Sequence, residues 1–256
     1  MTNIRNKTVL ITGASSGFGL ASAAAFAKKG ARLILAARRI DRLKKLSAEL
    51  KKKYGCSTHV IQLDVRNSAA VKRAVNGLPR KWQAIDILLN NAGLSRGLDK
   101  LHEGSLQDWE EMIDTNVKGL LYVSRAVIPG MVERNSGHII NIGSIAGHEV
   151  YPKGNVYCAT KHAVDALTKG MRIDLVDTDV RVTTIDPGLA ETEFSMVRFR
   201  GDVNKAKSVY TGMEPLSAAD IADAVIYAAT RPKNVVVAEM ILLANKQASS
   251  SVVHRK

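Results

Sequence analysis

Tyr157 and Lys161 stand four residues apart in Y-C-A-T-K, so on a helix they share one face. A tyrosine ordinarily titrates at about pH 10, which makes it a poor proton acceptor at neutrality. An ammonium one helical turn away stabilises the phenolate and lowers that value. Ser144 follows the strand-like run H-I-I-N-I at 138–142 and adds a hydroxyl able to hold a substrate oxygen. Phenol, ammonium and hydroxyl together suit proton exchange with an alcohol or a carbonyl. A lone Tyr-x-x-x-Lys on a helix is mostly structural, so the weight of this one rests on its surroundings.

Those surroundings suit a dinucleotide. Gly13-Ala14-Ser15-Ser16-Gly17-Phe18-Gly19 follows an apolar, β-branched run and opens an alanine-rich helix. Glycines let the backbone approach a pyrophosphate, and the helix start offers free N–H groups and a positive dipole end. Arg38 and Arg39 follow the second such run. An acid there would serve a ribose hydroxyl, whereas guanidinium suits a 2′-phosphate, so NADP is expected over NAD. Asp64 and Val65 follow the third, with Asp64 placed to accept from an adenine amino group. Asn90-Asn91-Ala92-Gly93 follows the fourth; its amides, with Asn91, Ala92 and Gly93, can meet both backbone and cofactor. Pro187-Gly188 and Thr192 follow the sixth and can close over the nicotinamide end. No histidine among His102, His138, His148 and His162 has metal-ligand spacing, and no metal is expected.

These positions require a scaffold that delivers strand ends to one place. Strand-like runs at 8–12, 32–37, 58–63, 85–89, 138–142, 181–185 and 235–243 alternate with helical patterns at 20–29, 41–54, 68–75, 105–129, 156–176 and 217–229. Ser68 and Ser217 are the expected caps of two of them. Such alternation predicts an α/β protein: a single-domain, Rossmann-type, doubly wound parallel sheet of seven strands with helices on both faces. Ligands of such sheets bind beyond the strands' carboxyl ends. No linker divides the chain, so residues 1–256 form one expected domain, with 190–216 as a substrate lid and 247–256 as a polar tail that either stays loose or crosses to another subunit.

Composition sets the limits. With 256 residues, 46% hydrophobic and 24% charged, the chain is ordinary for a globular domain. Two cysteines, Cys56 and Cys158, make no disulfide framework and fit a reducing, cytoplasmic setting. No apolar run is long enough for a membrane helix and no signal core is present. The net charge of +13 is dispersed, and the one run, Lys51 to Lys53, ends a helix where cations suit the dipole. A solvated basic surface is therefore expected in preference to a nucleic-acid or membrane face. Trp82 and Trp109 are expected to be packing residues.

From Thr8 to about Leu243 the chain resembles the short-chain dehydrogenase/reductase family, and more finely its NADP-dependent 3-hydroxy acid dehydrogenases. D-I-L-L-N-N-A-G-L, M-I-D-T-N-V-K-G-L, G-H-I-I-N-I-G-S-I-A-G and E-F-S-M-V-R-F-R-G-D carry the likeness. The resemblance implies a homotetramer that oxidises L-serine, L-allo-threonine or related acids such as 3-hydroxypropionate, or reduces semialdehydes. It adds Asn116 to Ser144, Tyr157 and Lys161 as a fourth catalytic member, supporting a water-linked proton path to the lysine. It gives Lys161 the nicotinamide ribose and Ser144 and Tyr157 the reacting oxygen. A carboxylate substrate needs a cation, and Arg198 and Arg200 in the lid segment are the candidates. Thr160 stands where the family has serine, and Glu191 and Glu193 are unexpected beside an acidic substrate. A broad carbonyl reductase is the alternative activity, and a non-catalytic NADP- or nucleic-acid-binding protein a remote one.

Overall fold

The computed structural model describes residues 2–256. Its seven strands are β1 (Thr8–Thr12), β2 (Arg32–Ala37), β3 (Thr58–Gln62), β4 (Ile87–Asn90), β5 (Gly137–Ile142), β6 (Val180–Pro187) and β7 (Glu239–Leu242). They form one sheet in the order β3-β2-β1-β4-β5-β6-β7, every pair parallel. Strand residues point alternately to opposite faces, and the apolar runs fill both. Val9, Ile11, Leu33, Leu35, Ile87 and Leu89 join one core with α1 (Gly17–Lys28), α2 (Ile40–Tyr54) and α9 (Ala218–Ala229). Leu10, Ile34, Leu88 and Ile139 join the other with α3 (Ser68–Asn76) and α5 (Gly119–Glu133). Side chains of this size contribute about 1.5–3 kcal/mol each when fully buried.

Local chemistry explains several helix ends. In α2, Leu43, Leu46 and Leu50 are the buried stripe, Lys51 to Lys53 fill the last turn, and Gly55 closes it at φ 64°. Left-handed backbone of that kind favours glycine. Ser217 and Asp220 form a reciprocal capping box at α9. The cap of α3 is Asn67, whose side chain accepts from the Ala70 N–H, so the cap expected at Ser68 lies one residue earlier.

The helix expected over 105–129 is continuous from Leu106 to Glu133 but not uniform. α4 (Leu106–Ile113) passes into a π turn, Asp114–Lys118, before α5 begins, and α5 runs through Pro129 to Glu133. The wide turn carries Asn116, whose amide is claimed by a neighbouring loop, and wide turns of this type accompany functional sites. β7 is also shorter than the expected 235–243. It pairs with β6 only from Glu239 onward, as an edge strand with one neighbour. No described helix is long and apolar enough to cross a membrane.

His138 on β5 is fully enclosed, with Nε2 2.8 Å from Thr183 Oγ1. Burial, helped by Arg181, pushes its imidazole down to about 3. The unfolded chain then binds a proton that the folded one refuses, so stability falls as the pH drops from about 6.5 toward 3. Between pH 7 and pH 5 this residue alone is expected to withdraw about 2 kcal/mol. Denaturant unfolding at the two pH values measures it, and the difference should shrink in His138→Gln.

Candidate active site

A cavity of about 650 Å³ opens at the carboxyl ends of the strands. It lies where β1 has β2 on one side and β4 on the other, the switch point at which open α/β sheets bind ligands. Its floor is the glycine turn. Asn91 Nδ2 donates to the carbonyls of Thr12 (2.8 Å) and Gly13 (3.2 Å), and Thr12 Oγ1 accepts from the N–H groups of Asn91 and Ala92, both at 3.0 Å. The turn and the N-N-A-G loop are thus fastened into one surface. A Cβ on Gly19 would lie 2.5 Å from Asn91 Nδ2 and 2.6 Å from the Gly13 carbonyl oxygen. Ser16 at the start of α1 makes no side-chain cap, so the first-turn N–H groups stay available beside Gly13, Ser15, Gly17 and Phe18 on the cavity wall. Ala14 is buried beneath them. This cradle fits a pyrophosphate.

Arg38, Arg39, Asp64 and Val65 line the same end of the cavity. Arg39 donates to Ser15 Oγ and, at 2.7 Å, to Ser16 Oγ. Asp64 is less free than the sequence implies, because Arg66 Nη2 and Nε hold its carboxylate at 2.6–3.0 Å. That guanidinium keeps the Asp64 carboxyl below the usual carboxylate range.

The opposite end holds the reacting groups. α6 (Asn155–Asp174) carries Tyr157 and Lys161, both buried. Lys161 Nζ donates to the Ile142 carbonyl at 2.9 Å and lies 5.9 Å from the Tyr157 ring centre. Ser144 sits at the end of β5, its N–H on Asp186 Oδ1 at 3.0 Å and its hydroxyl accepting from the Ala146 N–H at 3.1 Å. Asn116 is occupied on both sides: its Oδ1 accepts from Leu94 N–H, and its Nδ2 donates to the Leu94 carbonyl and Thr160 Oγ1. It locks the N-N-A-G loop to the Tyr157 helix.

Burial pushes the Tyr157 phenol above its ordinary value; Arg198 and the Ser144 hydroxyl pull it back. Lys161, expected to be the main depressor, is itself pushed down to about 8 by burial, against the opposing charge of Asp186. The cation nearest the phenol ring is Arg198, with its guanidinium carbon 5.3 Å from the ring centre.

The lid segment contains two short helices, α7 (Glu193–Arg198) and α8 (Val203–Ser208). Thr192 caps α7 through its hydroxyl and sits directly beside Gly17, and Pro187, Gly188 and Thr192 all line the wall. Arg198 points inward and donates to Ser95 Oγ at 2.9 Å and to the Tyr151 hydroxyl. Arg200 does not support a substrate role: its guanidinium is paired with Asp108 outside the cavity. Glu193 also turns away from Tyr157, toward Arg39 and Arg42.

Several residues escaped the sequence. Tyr151 and Phe194 wall the pocket around Tyr157, with the Phe194 ring 5.6 Å from the Tyr157 ring. His148 Nε2 stands 3.6 Å from Asp186 Oδ2 and 3.5 Å from Glu239 Oε1, a cluster from three separate elements behind the Ser144 turn. The tail folds back on its own chain. Gln247 Oε1 accepts from Leu189 N–H, Lys256 N–H donates to the Gly212 carbonyl, and Arg255 donates to the carbonyls of Thr211 and Val209. Chain distance hid these partners, and no local motif announces them.

A model of the family described as short chain dehydrogenase matches residues 7–202. The NADP-dependent 3-hydroxy acid dehydrogenase of Schizosaccharomyces pombe is 44% identical over 100% of this chain and 99% of its own length. A protein of the same description from Shigella flexneri is 47% identical over 97% of this chain and 99% of its own. Among solved structures, the closed form of a serine dehydrogenase complexed with NADP+ is similar at a TM-score of 0.91 and 47% identity, covering 97% of this chain and 100% of that one.

Proposed function

The chain belongs to the short chain dehydrogenase family, and from that premise we propose that it carries out reversible, NADP-dependent oxidation of a small 3-hydroxy acid such as L-serine, L-allo-threonine or 3-hydroxypropionate. The observation that carries this is one cavity holding a buried phenol, an ammonium, a hydroxyl and an inward guanidinium beside an uncapped helix start. The names of its relatives support both the cofactor and the substrate class. Bound NADP supplies the hydride acceptor.

The residues divide the remaining work. Gly13, Ser15, Ser16 and Gly17 receive the pyrophosphate, Gly19 lets the turn close against Asn91 beneath it, and Arg38 and Arg39 take the 2′-phosphate. Val65 flanks the adenosine side, the N-N-A-G loop lies between the glycine turn and Lys161, and Pro187, Gly188 and Thr192 flank the nicotinamide side. Ser144 Oγ orients the substrate oxygen, and the Tyr157 phenolate takes its proton. Lys161 binds the cofactor's ribose and passes the proton on to water, and Asn116 supports that path by holding the N-N-A-G loop beside the lysine. Arg198 meets the substrate carboxylate in two-point fashion. Closure of 190–216 over the pocket keeps water from the reacting groups.

Arg198→Ala is expected to raise KM for L-serine by roughly 10- to 100-fold, the worth of a charged hydrogen bond. An uncharged ketone should keep its KM. Steady-state kinetics on both substrates tests the assignment, and an unmoved KM for L-serine would remove it. The apolar walls Leu98, Tyr151 and Phe194 favour a second reading, a broad carbonyl reductase. Faster turnover of a neutral ketone than of every 3-hydroxy acid would select that one.

A further inference from the structure

Glu193 is the acid that a carboxylate-binding pocket leaves unexplained. It stands in the first turn of α7, yet its carboxylate reaches back to the β2–α2 junction. Oε2 is 3.0 Å from Arg39 Nη1 and Oε1 is 2.6 Å from Arg42 Nη1. The same Arg39 holds the serine hydroxyls of the glycine turn. One carboxylate therefore spans two guanidiniums where a 2′-phosphate needs its cations. Carboxylates and phosphate monoesters are both oxyanions that guanidinium takes by paired N–H···O bonds, so they are competitors for one site. All three side chains are 43–49% exposed, which makes each pair weak enough to be displaced.

We propose that Glu193 is an internal competitor for the 2′-phosphate of NADP, a residue that sets how strongly this protein prefers NADP to NAD. The inference rests on the reading of Arg39 as a 2′-phosphate partner. A dianionic phosphate arriving at Arg39 meets the Glu193 carboxylate as a like charge, and Glu193 has to leave. NAD brings no such group, so it has no quarrel with the Arg39–Glu193–Arg42 bridge. Because Glu193, Phe194 and Arg198 share the six residues of α7, releasing the bridge also frees the helix that walls the substrate end. Cofactor identity at one end of the cavity is thereby coupled to the substrate contacts at the other.

Calorimetric titration of NADP and of NAD into the wild type, Glu193→Gln and Arg39→Gln tests both layers. Glu193→Gln should tighten NADP by roughly two- to fivefold, the scale of exposed ion pairs, and leave NAD unmoved. The gain should shrink at high salt. An unchanged or weaker NADP affinity would overturn the inference, as would equal tightening of both dinucleotides, which would report a loosened lid in place of a removed competitor. Arg39→Gln should weaken NADP far more than NAD. If it weakens both alike, the assignment of the 2′-phosphate site fails; if it behaves as expected while Glu193→Gln does not, only the competitor role fails.

Discussion

Tyr157→Phe is expected to lower kcat by about 10²- to 10⁴-fold, the usual contribution of a positioned acid–base group, with NADP affinity retained. The change removes one oxygen and leaves the ring against Phe194 and Arg198, so the fold has little reason to respond. The pH dependence carries a sign. Alcohol oxidation uses the phenolate, and burial pushes the phenol up, so kcat/KM for oxidation should rise with pH. Carbonyl reduction uses the neutral phenol, already present at neutrality. Arg198 pulls the phenol down, so Arg198→Ala should move the rising limb to higher pH. The observed midpoint will belong to Tyr157 and Lys161 as a coupled pair. Turnover of Tyr157→Phe near the wild-type rate would place the base elsewhere.

Gly19→Ala should disable the protein by a different route. The new methyl would meet a main-chain carbonyl, that of Gly13, at 2.6 Å as well as Asn91 Nδ2 at 2.5 Å. Neither can swing aside, because Asn91 is bonded to the carbonyls of Thr12 and Gly13. Overpacking of this kind costs about 1–3 kcal/mol, and the displaced turn no longer presents its N–H groups to a pyrophosphate. NADP affinity should fall by about tenfold or more, the loss of one or two charge-assisted bonds. Chemical denaturation and NADP titration measure the two effects. Gly170 in α6, where an added methyl would have nothing within 4 Å, is the control: Gly170→Ala should be neutral or stabilising by about 0.5–1 kcal/mol.

What the sequence made legible is what local chemistry decides. β-Branched runs give strands, leucines at helical spacing give α2, and Ser217 with Asp220 gives the start of α9. The parallel sheet follows from the alternation of elements, and the placement of glycines, arginines and the N-N-A-G loop at strand ends follows from the sheet. The illegible parts depend on partners far along the chain. The π turn carries Asn116, whose amide is bonded to Leu94 and Thr160, 22 and 44 residues away. Arg198 and Arg200 are two residues apart with the same side chain, yet Ser95 draws one into the cavity and Asp108 holds the other outside. The six-residue helices α7 and α8 are too short to show a period. Spacing alone makes Lys161 the main influence on Tyr157, and only three dimensions reveal that a guanidinium from the lid stands nearer the ring's face.

The reversal of strand order beside β1 has a consequence for how the molecule assembles. β1 and β2 are near neighbours in the chain, but Val9 must find Ile87 before the other side of β1 is covered. Parallel pairings across such separations form slowly, because the chain between them has to be closed first. The dinucleotide crevice straddles that seam, with Thr12 on one bank and Asn91 on the other. A nascent polypeptide can therefore possess its glycine turn, complete with the α1 helix, and still lack the bank that fastens that turn and closes the crevice until β4 arrives.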